Sequence, residues 1–151
     1  MLAMEVTGEQ RFKAPRPLVW EMLMDPAALR ACIPGCEKLE EVSPGSFKLS
    51  LRLGIAPIRG AYGGTVTVAD AVEPESYRLV SAADGAPGSA QGDVRITLTE
   101  TPGGTLVRYA AEMKAQGGLA RLGGPLLAGT AKVMAGQFFK AMERFVEQRS
   151  I

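Results

Sequence analysis

The sequence predicts an α+β fold: a curved antiparallel sheet of about seven strands wrapped around one long C-terminal helix, with two short helices after the first strand. Three observations carry this expectation. Residues 36–115 read as consecutive strands separated by short turns rich in Gly and Pro. Residues 117–149 carry one apolar stripe at the helical period, and residues 14–35 are punctuated by prolines where short helices start and stop.

Taken in order, Glu5 to Lys13 alternates, with Val6 and Phe12 on one parity and Glu5, Thr7, Glu9, Arg11 and Lys13 on the other, as a half-buried strand should. Ala14-Pro15-Arg16-Pro17 breaks it. Leu18, Val19, Met22 and Leu23 then recur at helical spacing around Trp20, and the prolines sit where a first turn tolerates them. Asp25 is placed to cap a second short helix before Pro26, with Leu29 and Ile33 as its apolar side and Pro34-Gly35 as its stop. Strands follow at Glu37 to Val42, Phe47 to Leu53, Ile58 to Ala69, Ser76 to Ala82, Ala90 to Thr99 and Thr105 to Ala115. Their short separators make neighbours hairpins and the sheet antiparallel. Phe47, Leu49, Leu51 and Leu53 oppose Lys48, Ser50 and Arg52, so one face of the sheet is wet. From Gly117-Gly118 a long helical pattern sets Leu119, Leu122, Leu126, Val133, Met134, Phe138, Met142 and Phe145 in a stripe, with Pro125 either kinking the helix or marking its true start.

Composition excludes several functions. At 151 residues the chain is most economically a single domain, 1–151. With 17 basic and 16 acidic residues spread through it, no long-range field favours nucleic acid. The longest uncharged stretch near the C-terminus, Leu122 to Ala131, is far shorter than a membrane span. No signal-peptide pattern opens the sequence, Met4 is a second candidate start, and two cysteines do not make a disulfide framework, so a cytoplasmic protein is expected. General acid-base chemistry has little support: histidine is absent, and paired carboxylates, a nucleophile elbow and a phosphate loop are all missing. No catalytic residue is assigned.

Cys32-Ile33-Pro34-Gly35-Cys36 looks like a metal or redox site. Structural zinc needs four ligands, and these are the only cysteines in a chain without histidine. A redox pair of the C-x-x-C kind has two intervening residues, whereas this pair has three. The thiols therefore read as small hydrophobes, no metal site is assigned, and Pro34-Gly35 reads as backbone geometry.

A sheet gripping one helix needs bulk to fill the space between them. Here Gly123, Gly124, Ala128, Gly129, Ala131, Ala135 and Gly136 leave the helix thin, while the strands offer Leu and Val. This helix-grip arrangement implies an elongated apolar space beneath residues 122–138. Its expected lining is Leu51, Leu53, Tyr62, Val66, Leu98, Met113, Leu126, Leu127, Met134 and Phe138, with Trp20 serving either core or ligand contact. Ile33, Pro34 and Gly35 are expected at its rim. Tyr62 stands out because Gly60, Gly63 and Gly64 thin the strand around it.

Several segments together resemble a known family. Pro17-Leu18-Val19-Trp20, Asp25-Pro26, Cys32-Ile33-Pro34-Gly35-Cys36, the stretch from Pro57 to Val66, and Gly117-Gly118-Leu119-Ala120-Arg121-Leu122-Gly123 resemble the CoxG family of carbon monoxide dehydrogenase subunits, within the superfamily of START and Bet v 1-like (SRPBCC) binders of hydrophobic ligands. The resemblance covers nearly the whole chain. It implies an apolar-cavity protein without intrinsic cofactor, whose bound molecule is an isoprenoid quinone or similar lipid. It also implies a link between a molybdenum hydroxylase-type dehydrogenase and the inner face of the membrane, by peripheral contact. Longer members carry a C-terminal apolar or amphipathic tail, which this sequence, ending at Ile151, does not show. The alternatives are a cyclase or aromatase acting on a hydrophobic substrate, and a ligand-free assembly partner of a dehydrogenase.

Overall fold

In the computed structural model, which describes residues 1–149, the chain runs β1 (Leu2–Phe12), α1 (Arg16–Met24), α2 (Pro26–Cys32), β2 (Cys36–Ser43), β3 (Ser46–Leu53), β4 (Gly60–Val72), β5 (Ser76–Gly85), β6 (Gly88–Thr101), β7 (Gly104–Gln116) and α3 (Gly124–Arg149), with one 3-10 turn at Ala120–Leu122. Ser150 and Ile151, the last two residues of the expected domain, lie outside the described residues. Among those described, seven strands form one antiparallel sheet in the order β1-β7-β6-β5-β4-β3-β2. The curved antiparallel sheet around a long C-terminal helix is the expected fold.

The local signals act as their chemistry dictates. Pro15 and Pro17 bracket the first turn of α1, and the Asp25 carboxylate accepts from the Ala27 amide at 3.0 Å to cap α2. Ile33 closes α2 by donating to the Leu29 carbonyl at 2.9 Å, and Gly35, at φ +71°, turns the chain into β2. The Gly35 carbonyl then accepts from the Arg52 amide at 2.8 Å, stitching the turn to β3.

Several boundaries differ from expectation. Strand β1 starts at Leu2, because residues 2–12 pair with β7 without a break in register. Ile58 lies in the β3–β4 loop instead of a strand: its amide bonds the Ile55 carbonyl and Arg59 folds back onto the Gly54 carbonyl. Gly85 pairs with Gly88, so the β5–β6 connection is the two-residue turn Ala86-Pro87 and not a loop over 84–88. The long helix begins at Gly124, not Gly117. Gly117 and Gly123 adopt positive φ on either side of the 3-10 turn, and Pro125 sits in the first turn of α3.

That late start changes the buried stripe. Leu127, Phe139, Met142 and Val146 are buried in α3, whereas Leu126 and Val133 are more than half exposed. Two apolar clusters result. The larger includes Phe12, Val19, Trp20, Tyr77, Ile96, Val107, Met142 and Val146, with Tyr109 stacked on Phe139 at 5.3 Å. Full burial of each large side chain there contributes roughly 1.5–3 kcal/mol. The smaller contains Ile58, Tyr62, Ala115, Leu119 and Leu127. At the far end of the sheet Thr105 is fully buried and donates to the Ala14 carbonyl at 2.8 Å.

The wet face of the sheet carries one organised ion network. Arg78 on β5 meets Asp93 on β6 through two bonds, at 3.0 and 2.9 Å, and Asp70 on β4 at 2.6 Å. The hydrogen bonds from Arg78, aided by its charge, hold the Asp93 carboxyl below its usual range. A carboxyl whose pKa falls on folding stabilises the fold fully above the unfolded value and loses that contribution as pH falls through the lower folded one. Asp93→Asn should therefore lower the urea midpoint at pH 7. The gap from the unaltered protein should close as titration passes below about pH 3.9, the ordinary Asp value.

Candidate functional site

An apolar cavity of about 160 Å³ lies between the sheet and the first half of α3. Its floor is Leu51 and Leu53 from β3, Tyr62 from β4, Ala83 from β5, Ala90 from β6 and Met113 and Ala115 from β7; Met4 from β1 and Ile58 and Leu119 from loops close the sides. Leu127, Thr130, Ala131 and Met134 of α3 form the roof. The space exists because the wall residues facing one another are small: Ala83, Ala90, Ala115 and Ala131 stop short where Leu or Phe would meet.

Of the residues expected to line it, Leu51, Leu53, Tyr62, Met113, Leu127 and Met134 are in the wall. Five are elsewhere. Leu126 points to solvent, half exposed, because α3 starts late and turns Leu127 inward instead. Leu98 is 2% exposed within the larger cluster, and Phe138 packs edge-on against Phe139 at 5.0 Å beside that cluster. Trp20 meets Tyr77 edge-on at 5.2 Å in the same cluster and is core. Val66 faces inward opposite Phe47, beyond the cavity's reach. The space beneath residues 122–138 is thus shorter than expected, covered by 127–134.

Ile33, Pro34 and Gly35, expected at its rim, are not among the wall residues. Gly35 acts at one remove. A side chain there would meet the Arg52 carbonyl and approach Leu53 Cδ2 at 3.0 Å, and Leu53 is a wall residue.

Met4, Ala83, Ala90, Lys114, Ala115, Leu119, Thr130 and Ala131 join the wall beyond the expected lining, and Ile58 enters it from a loop instead of a strand. The alanines escape a reading that looks for bulk, although their inward parity beside Met113 and opposite Tyr62 is a usable signal. Met4 escapes because the visible alternation of the first strand opens only at Glu5.

The wall's two hydroxyl protons are committed, and its one charged side chain, Lys114, is exposed. Tyr62 is 6% exposed and its hydroxyl donates to the Ile58 carbonyl at 2.7 Å, while burial pushes its phenol pKa up and keeps it protonated. The Thr130 hydroxyl donates to the Leu126 carbonyl at 2.9 Å. No group of His, Cys, Asp and Glu among the described residues could hold a metal ion. Burial raises the pKa of both free thiols; at Cys36 the nearby Arg30 charge and a backbone hydrogen bond at Lys38 oppose it in part.

Sheet, grip and cavity define a START-like helix-grip protein with an apolar interior space. Residues 8–147 match the family described as CoxG, a carbon monoxide dehydrogenase subunit, and the chain belongs to that family. Among solved structures it is similar to a conserved protein from Geobacillus kaustophilus, with 31% identity, a TM-score of 0.93 and 96% of each chain covered. A START superfamily protein from Mycobacterium smegmatis shares the fold at 14% identity and TM-score 0.75, over 95% of this chain and 97% of that one. So does the di-domain ARO/CYC BexL from the BE-7585A biosynthetic pathway, at 16% identity and TM-score 0.65, over 97% of this chain and 50% of that one. No curated protein matches the chain. No helix among the described residues is long and apolar enough to cross a membrane.

Two measurements test this site. Tyr62→Phe removes one buried hydrogen bond and should cost about 0.5–1.5 kcal/mol in chemical denaturation without loss of fold. With both thiol pKa values raised, iodoacetamide at pH 7 should alkylate Cys32 and Cys36 more slowly than free cysteine, since only the thiolate reacts. Faster alkylation at either position would show a reactive thiol.

Proposed function

We propose that this protein binds a hydrophobic ligand, an isoprenoid quinone or a similar lipid, in the cavity beneath α3. It acts there as a non-enzymatic carrier or membrane-recruitment factor for a molybdenum hydroxylase-type carbon monoxide dehydrogenase. One observation carries the binding reading: an apolar space held open by alanines at the loosely filled end of an otherwise tightly packed grip. Membership of the CoxG family supports the dehydrogenase as partner. A cavity of 160 Å³ is smaller than the roughly 300–1,000 Å³ that encloses a drug-sized ligand, so it houses part of a long molecule.

A cyclase would place groups with free protons against its substrate, and both wall hydroxyls here give their single proton to a backbone carbonyl. The carrier reading therefore fits the wall better. Native mass spectrometry and organic extraction of protein purified from its host should yield a bound lipid or quinone. Ala131→Trp, which fills the roof, should reduce that content at least tenfold while the protein stays folded by circular dichroism. Purified protein free of lipid, with dehydrogenase binding intact, would instead favour an assembly partner that needs no ligand.

A further inference from the structure

Resting on the reading of the cavity as a lipid site, we infer that it takes the hydrocarbon end of its ligand and keeps the polar head outside, so that an isoprenoid quinone enters tail first. A quinone ring presents two carbonyl oxygens, which only accept hydrogen bonds, and needs donors from any wall that encloses it. Three wall residues carry side-chain donors, Tyr62, Thr130 and Lys114, and none turns a free one into the space. Tyr62 and Thr130 have one hydroxyl proton each, and both protons are given to carbonyls, at 2.7 and 2.9 Å. Lys114 is exposed, stands between inward-facing Met113 and Ala115, and borders a depression on the outer face of the sheet with Thr65 and Gln91.

Sites built for polar ligands also tend to show polar atoms awaiting a partner. Among the described residues the two such buried side-chain atoms are Arg16 Nε and Thr101 Oγ1, at the opposite end of the sheet from the cavity. Each ring carbonyl buried without a donor weakens binding roughly tenfold. A branched hydrocarbon has no such acceptor and suffers no such loss. Volume points the same way: an apolar cavity of about 150 Å³ accommodates one benzene, so 160 Å³ suits a unit of about that size. That is the end of an isoprenoid chain, and a fused two-ring quinone exceeds it.

Calorimetric titration of the delipidated full chain with geraniol and with 2-methyl-1,4-naphthoquinone separates the possibilities, since the first is a tail without a ring and the second a ring without a tail. Geraniol should bind at least tenfold more tightly than the naphthoquinone. Ala131→Trp, shown by circular dichroism to be folded, should abolish the geraniol heat. Naphthoquinone binding as tight as geraniol, and blocked by Ala131→Trp, would overturn tail-first entry while leaving the lipid site intact. Geraniol binding that Ala131→Trp leaves unchanged would place the ligand outside this cavity and overturn the inference. Failure of both probes on the unaltered protein would remove the lipid reading and the inference with it.

Discussion

The seating of the C-terminal half of α3 on β1 and β7 is the constraint from which the rest follows. Phe12, Val107, Met142 and Val146 are all completely buried, and Tyr109 stacks on Phe139 nearby, so this end of the helix has no freedom to shift. A helix of 26 residues is a rod about 39 Å long. Fixing one half of a rod against a curved sheet fixes the height of the other half. Whether the first turns touch the sheet is then decided by side-chain size alone, and opposite Leu127 to Met134 the sheet presents Ala83, Ala90 and Ala115. The cavity is a consequence of a rigid clamp at one end and small residues at the other.

Elements with strong periodicity are legible in the sequence. Strands such as Phe47 to Leu53 and Val94 to Leu98 have an alternation that only a half-buried strand explains, and Asp25-Pro26 and Pro34-Gly35 bound α2 by their own backbone chemistry. Less legible is the phase of α3. Leu119, Leu122, Leu126 and Val133 continue the apolar pattern, yet Gly123 at φ +86° breaks the chain between the first two and the rest, and the true helix buries Leu127 and Phe139. A count of apolar residues cannot distinguish these phases; the positive-φ glycines decide them. Less than half of the site is readable for the same reason. Bulky inward residues such as Leu51, Tyr62 and Met113 announce themselves, whereas alanines that create space by stopping short carry no pattern.

Cys32-Ile33-Pro34-Gly35-Cys36 shows how a segment can look chemical and be geometric. Cys32 is buried in the larger cluster, the Cys36 thiol donates to the Lys38 carbonyl, and desolvation raises both pKa values. The backbone between them acts. Ile33 terminates α2, Gly35 makes a turn that needs positive φ, and its carbonyl bonds Arg52 next to Leu53 of the cavity wall. The segment thus holds the end of β3, and with it part of the cavity floor, in register.

Empty apolar volume has an energetic consequence that bears on function. At about 24 cal/mol per Å³, a sealed void of 160 Å³ would cost a fold about 4 kcal/mol relative to a packed one, the upper bound for a space that opens to the outside. That is a large share of the roughly 5–15 kcal/mol by which a domain is stable. One substitution at Ala115 or Ala131 to a larger aliphatic residue would fill much of the gap without touching the clamp. A wall assembled from alanines on four separate elements, with both of its hydroxyls satisfied internally, keeps this cost in every free molecule. An apolar guest would recover it on entry, and the dispersion contacts absent from the free protein would become part of the affinity of the complex.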